Sequence, residues 1–139
     1  MKSFAVTTSI RAAPEKIWGI LIDAARYPTW NPTVTKVEWR IAAGERVVMH
    51  VALNTGRAFP VTVSRFEPAR RMIWKGGMPL GLFKGVRTFT LSPRTDGAVD
   101  FTMREEFSGL LAPLIGRAIP DLQPAFDEFA AALKREAER

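Results

Sequence analysis

Between residues 33 and 107 the chain is a succession of short alternating segments separated by turn clusters, a pattern that restricts it to an antiparallel meander. Residues 33–42 set Thr35, Val37, Trp39 and Ile41 on one face, and 46–53 set Val47, Met49, Val51 and Leu53 together. Residues 57–66 supply Phe59, Val61 and Val63, with Pro60 marking an edge or a bulge. Met72 and Trp74 share a face in 71–75, and two further strands span about 83–92 and 98–107. Ala43-Gly44-Glu45, Asn54-Thr55-Gly56, Glu67-Pro68-Ala69-Arg70 and residues 93–97 are the turns.

A strand at 3–11 and two helical stretches flank this run. Ala13-Pro14-Glu15 opens a helix whose stripe is Ile17, Trp18, Leu21 and Ile22, and YPTWNP at 27–32 ends it. A long helix is expected from about 113 to 138, with Leu114, Ala118, Leu122, Phe126, Phe129 and Leu133 as its stripe. Pro120 and Pro124 each remove a backbone donor, which predicts a kink or break between them.

The length of 139 residues fits one domain, 1–139. The chain has no cysteine and one histidine, so disulfides, thiolate metal sites and cysteine nucleophiles are excluded, and no metal site is expected. His50 alternates away from Val47, Met49 and Val51 and reads as an outward strand residue. No apolar run approaches the roughly 18 residues of a membrane helix, and the first residues lack a signal-peptide core. The expectation is a cytoplasmic protein with no integral membrane association; oligomeric state is not legible. The net charge of +6 is spread along the chain, with only Arg70-Arg71 and Lys134-Arg135 adjacent, so no nucleic-acid partner is expected.

Residues 76–91, GGMPLGLFKGVRTFTL, carry the strongest functional signal. A glycine- and proline-rich loop over 76–85 holds Met78, Leu80, Leu82 and Phe83, and loops this apolar cover something. They are read as a gate. The strand that follows puts Arg87 on a face with Phe83, Phe89 and Leu91, and the next puts Glu105 with Phe101 and Met103. A hairpin setting Phe89 opposite Phe101 would leave Glu105 diagonal to Arg87, within reach of pairing. A charge on an apolar face must be paired, solvated in a cavity, or used.

The order of elements, the APEKIW helix start, the YPTWNP segment, the GVRTFTL strand and the REEFSGLL approach to the last helix resemble the SRPBCC superfamily. That superfamily includes START lipid-transfer domains, the birch-pollen allergen family and polyketide cyclase/dehydrase-like proteins. The resemblance covers essentially the whole chain. It implies an α+β helix-grip fold: a curved antiparallel sheet of about seven strands around a long C-terminal helix, with an internal cavity. Fold alone does not choose a function within it.

The inward set is Trp39, Met49, Phe59, Met72, Trp74, Phe89, Phe101 and Met103, joined by Phe126 from the helix. A dry core explains all of them, and a cavity would use many as walls. Trp30 either lines the cavity mouth or staples the helix to the sheet, and packing is the favoured reading. The leading function is binding, or transport, of a hydrophobic or amphipathic small molecule without a cofactor. One alternative is a polyketide cyclase/dehydrase-like enzyme, with Glu105 as base and Arg87 as donor to an enolate oxygen. Another is a co-chaperone-like interaction module.

Overall fold

The computed structural model describes residues 2–139. Seven strands form one antiparallel sheet in the order β1-β7-β6-β5-β4-β3-β2. They are β1 Lys2–Ile10, β2 Val34–Glu38, β3 Arg46–Val51, β4 Asn54–Glu67, β5 Arg71–Met78, β6 Phe83–Pro93 and β7 Val99–Ser108. Helices α1 Pro14–Ile22 and α2 Tyr27–Trp30 cross from β1 to β2, and α3 Ala112–Ile115 precedes α4, Gln123–Ala137. This is the helix-grip α+β architecture: a curled half-barrel with the C-terminal helix on its concave side.

The strand alternation builds most of the core as expected; Leu53, read with Val47 and Met49, instead lies exposed in the turn between β3, which ends at Val51, and β4, which starts at Asn54. Val47, Met49, Val63, Met72, Trp74, Phe89, Phe101 and Met103 are buried on the concave face. Trp39 is a correction. A register shift between Val34 and Lys36 places Val34 and Val37 inward and Thr35 outward. The strand stops at Glu38, and Trp39 enters the left-handed region at φ 80°, which swings its ring into solvent. There its Nε1 donates to Glu45 Oε2 at 2.8 Å, and the Arg40 guanidinium lies 5.7 Å from its ring. A period of two cannot show a bulge or a strand end.

The C-terminal helix is shorter than its sequence stripe. It begins at Gln123 with Pro124 in its first turn, where the missing N–H has no intrahelical acceptor to lose. Asp121 Oδ1 accepts from the Gln123 N–H. Residues 112–118 form α3 and one 3₁₀ turn, and Leu114 is exposed. Phe126, Phe129 and Leu133 are buried as predicted. The first helix also ends early, at Ile22, and Tyr27 is helical although it precedes Pro28.

The segment 76–85 is largely a β-hairpin rather than a loop. Gly76 pairs with Gly85, Gly77 with Lys84 and Met78 with Phe83, so only residues 79–82 form the connection. Leu80 caps nothing: it is 92% exposed. Hydrogen exchange should show protection of the ladder amides up to Met78 and from Phe83, with fast exchange confined to 79–82. Fast exchange across 76–85 would restore the reading of this whole segment as a loop.

Phe129 packs against Tyr27, Trp30, Phe89 and Phe101, with ring centroids 5.7–6.3 Å away. Phe129→Ala should cost about 3–5 kcal/mol in denaturant unfolding. A loss below about 1 kcal/mol would mean that the helix does not lock onto this cluster.

Candidate functional site

Arg87 and Glu105 stand directly opposite each other on β6 and β7. The pairing is shifted two residues from a hairpin closed on Phe89 and Phe101: Phe89 meets Met103, and Pro93 meets Val99. The residues predicted to lie diagonally are therefore direct neighbours. Arg87 Nη2 lies 2.6 Å from Glu105 Oε1, and its Nε donates to the same oxygen at 2.7 Å. Both bonds fall on Oε1. The side chains retain 21% and 15% exposure, so the pair is neither in bulk solvent nor sealed.

The surroundings hold this pair in place. The Arg87 guanidinium sits 4.9 Å from the Phe126 ring, a cation–π contact that ties β6 to α4. Gly85 is two residues along the same face. A Cβ there would lie 2.9 Å from Glu105 Oε2 and 3.0 Å from the Phe107 ring, so only glycine leaves the carboxylate its position. Phe83 stacks on Phe107 with centroids 5.7 Å apart, and Phe107 meets Phe4 edge-on.

The concave face changes character along its strands. On one side of the ion pair lies a close-packed layer of Tyr27, Trp30, Trp74, Phe89, Phe101 and Phe129. These rings meet one another with centroids 4.6–6.5 Å apart. On the other side Phe59, Val61, Phe83 and Phe107 are only half-buried, and Gly76 faces Gly85 across the ladder without side chains. The open apolar strip is therefore at the Arg87–Glu105 end. Of the residues read as walls, Met49, Met72, Trp74, Phe89, Phe101, Met103 and Phe126 are buried on the concave side, Phe59 borders the strip, and Trp39 lies outside it. Met78, Leu82 and Phe83 flank the strip, whereas Leu80 projects away from the body.

Two donors here were not legible in the sequence. The indole N–H groups of Trp30 and Trp74 are buried, and neither has a hydrogen-bond acceptor among the described residues. Trp74 is the ladder partner of Arg87 on β5. An unsatisfied buried donor costs about 1–3 kcal/mol, so this is a place where an acceptor oxygen would be stabilised. Tyr27, read only as part of a helix terminator, is fully buried, and its hydroxyl donates to Leu21 O at 2.6 Å. Burial pushes that hydroxyl far above the usual phenol range, with the Arg87 charge a smaller opposing influence, so it stays protonated. The i,i+3 spacing of Tyr27 and Trp30 was the available clue to a short helix with one buried face.

His50 is on the convex side as expected, with Nε2 2.6 Å from Glu38 Oε2. That hydrogen bond, aided by Lys36, holds the Glu38 carboxyl below the ordinary carboxylate range. Neither side chain reaches the ion pair, and no cluster of metal-ligating side chains occurs among the described residues.

Known structures share this fold. A Mesorhizobium loti protein superposes with a TM-score of 0.74 at 23% identity, over 96% of this chain and 95% of its own. The Zhui aromatase/cyclase of a Streptomyces species gives 0.76 at 16% identity, over 99% and 94%. A START superfamily protein of Mycobacterium smegmatis gives 0.70 at 17%, over 98% and 97%. At these identities the likeness is one of fold. No curated protein matches the sequence. The family described as polyketide cyclase / dehydrase and lipid transport matches residues 1–138, and the chain belongs to that family.

Proposed function

We propose that this protein binds a hydrophobic or amphipathic small molecule along the half-buried strip of its concave face, with a carbonyl or carboxylate of that molecule anchored at Arg87. The observation that carries this reading is a part-exposed arginine set among aromatic rings, beside the unpartnered indole donor of Trp74. An ionic pair bracing a sheet needs no spare donor next to it. Phe59, Val61, Phe83 and Phe107 supply apolar surface for a chain or ring. Arginine is suited to an oxygen ligand because its planar fork can serve Glu105 and a second acceptor together.

A second reading has one specific support. Glu105 Oε1 takes both bonds from Arg87, while Oε2 accepts no hydrogen bond from a described residue. That oxygen could take a carbon-bound proton while Arg87 stabilises the enolate oxygen, as a cyclase or dehydrase requires.

A displacement assay with an apolar fluorescent dye tests the anchor. A long-chain carboxylic acid should displace the dye more strongly than the alcohol of equal length. Arg87→Met should weaken the acid about tenfold or more and leave the alcohol little changed, since a hydrogen bond to a charged group contributes about 1.5–3 kcal/mol. Equal acid binding by wild type and variant would defeat the anchor. Arg87→Met should also cost about 1–3 kcal/mol of stability by orphaning Glu105, and adding Glu105→Gln should recover part of it.

Gly85→Ala tests the geometry without touching either charge. The new methyl displaces the Glu105 carboxylate and crowds Phe107, at a cost of about 1–3 kcal/mol, and acid binding should fall with it. Unchanged stability and binding would show that the carboxylate position is not fixed by Gly85.

A further inference from the structure

The ends of β3, β5 and β7 and the starts of β4, β6 and β1 lie along one edge of the sheet, as the pairs Val51 with Asn54, Met78 with Phe83 and Lys2 with Phe107 show. Six large apolar side chains stand exposed among the described residues, and five of them lie at this end: Leu53, Met78, Leu80, Leu110 and Leu114. Leu80 is on the β5–β6 turn, and Leu110 and Leu114 are on the segment that leaves β7. Backbone bonds tie these two segments into one surface: Leu110 N–H donates to Gly81 O at 3.1 Å and Leu111 N–H to Leu82 O at 2.8 Å. Gly109, at φ 116°, permits this approach, because a Cβ there would meet Leu82 O at 2.7 Å.

Leu80 is costly twice over. It is 92% exposed, and it occupies the left-handed region at φ 59°, where glycine or asparagine would sit with less strain. Turn formation does not call for leucine at this position. Its presence points to a surface that the side chain enters.

The charges identify that surface. The connections at the opposite edge carry Glu45, Glu67 and Asp96, each paired with an arginine. The leucine edge differs. No acidic residue occurs from 46 to 66, from 68 to 95, or from 107 to 120, whereas Arg57, Lys84 and Arg117 are exposed there without ion-pair partners among the described residues. Glu106 on β7 is held by Arg104, and Asp121, just past this segment, accepts from the Gln123 N–H. A shallow groove of about 330 Å³ opens between Lys2, Phe107, Pro113 and Arg117, adjacent to Leu114. Exposed leucines within a base-only rim match an interface of acyl chains beneath anionic headgroups.

We propose that this end of the molecule docks on an anionic lipid bilayer, with Leu80, Leu110 and Leu114 inserted between headgroups and Lys84 and Arg117 on the phosphates. The open apolar strip beside Arg87 and Glu105 runs to the same edge, which would place its mouth at the membrane. The docking itself requires no ligand, so its failure would leave the binding reading standing.

The test is cosedimentation with vesicles of phosphatidylcholine alone and of phosphatidylcholine mixed equally with phosphatidylglycerol. Wild type should pellet with the mixed vesicles, less with phosphatidylcholine alone, and progressively less as salt is raised. Leu80→Asn suits the left-handed turn and should keep or raise the melting temperature. Combined with Leu114→Gln, it should weaken vesicle binding about tenfold or more. Lys84→Glu with Arg117→Glu, far from the core, should abolish the preference for the anionic vesicles. The proposal is overturned if wild type pellets with neither vesicle, if the leucine variant binds as wild type does, or if binding ignores both lipid charge and salt. It is equally overturned if analytical ultracentrifugation shows a dimer that Leu80→Asn dissociates and that does not bind vesicles, because the leucines would then serve a second copy of the chain.

Discussion

A single helix cannot cover the concave side of a seven-stranded sheet, and most of this molecule's organisation follows from that mismatch. The sheet is about 30 Å wide at roughly 4.8 Å per strand. Helix α4 is 15 residues long, about 22 Å by 10 Å with its side chains. It runs beside β1, held by Gln123 to Ala5 O and by Lys134 to Ser9 O. The remaining concave surface must be covered by α1 and α2, by large side chains, or by something other than the protein. Near α4 the chain uses aromatic rings, whose interlocking contacts each add about 0.5–1.5 kcal/mol beyond area burial. Beyond the Arg87–Glu105 pair, toward the strand ends at Phe83 and Phe107, it leaves Phe59, Val61, Phe83 and Phe107 half covered.

The alternating residues of β3 to β7 were readable because each strand has one buried face, and a one-residue slip would expose its whole apolar set. The family resemblance rested on that same order of elements. Misreadings cluster where geometry departs from a period. Trp39 continued an alternation that ends at Glu38 with a positive φ. Leu114 continued a helical stripe that Pro120 interrupts. Residues 76 and 77 read as loop because glycines mark turns, yet here they mark close backbone approach: a Cβ on Gly76 would meet Pro60 O at 2.7 Å.

The candidate site was half legible for a related reason. Arg87 and Glu105 attract notice as charges on apolar faces, and pairing follows from the cost of leaving either alone. Their register depends on the connection between β6 and β7, where the Arg94 N–H donates to Ala98 O and fixes Pro93 against Val99. No residue pattern in 93–97 announces that choice over one offset by two. The unpartnered indole donors were invisible, because whether a buried N–H finds an acceptor is a property of the assembled core. Nothing in the letter W distinguishes Trp74 from Trp39, whose indole N–H donates to Glu45 Oε2.

The two edges of the sheet divide their work along the strand axis. At the edge carrying Glu45, Glu67 and Asp96, the turns are tied by ion pairs and the Asp96 carboxylate also accepts from Ala98 N–H. Such turns satisfy themselves. At the other edge the turns carry leucines in water and bases without acids, an arrangement that contributes nothing to the stability of the isolated chain. Elements that act by meeting another phase or molecule come from the less self-sufficient part of a structure. Arg87 and Glu105 lie between the two regimes, with the aromatic core on one side and the open strip on the other. That position explains why their charge is tolerated: the rings fix where the guanidinium points, and partial access to solvent spares it the full cost of burial.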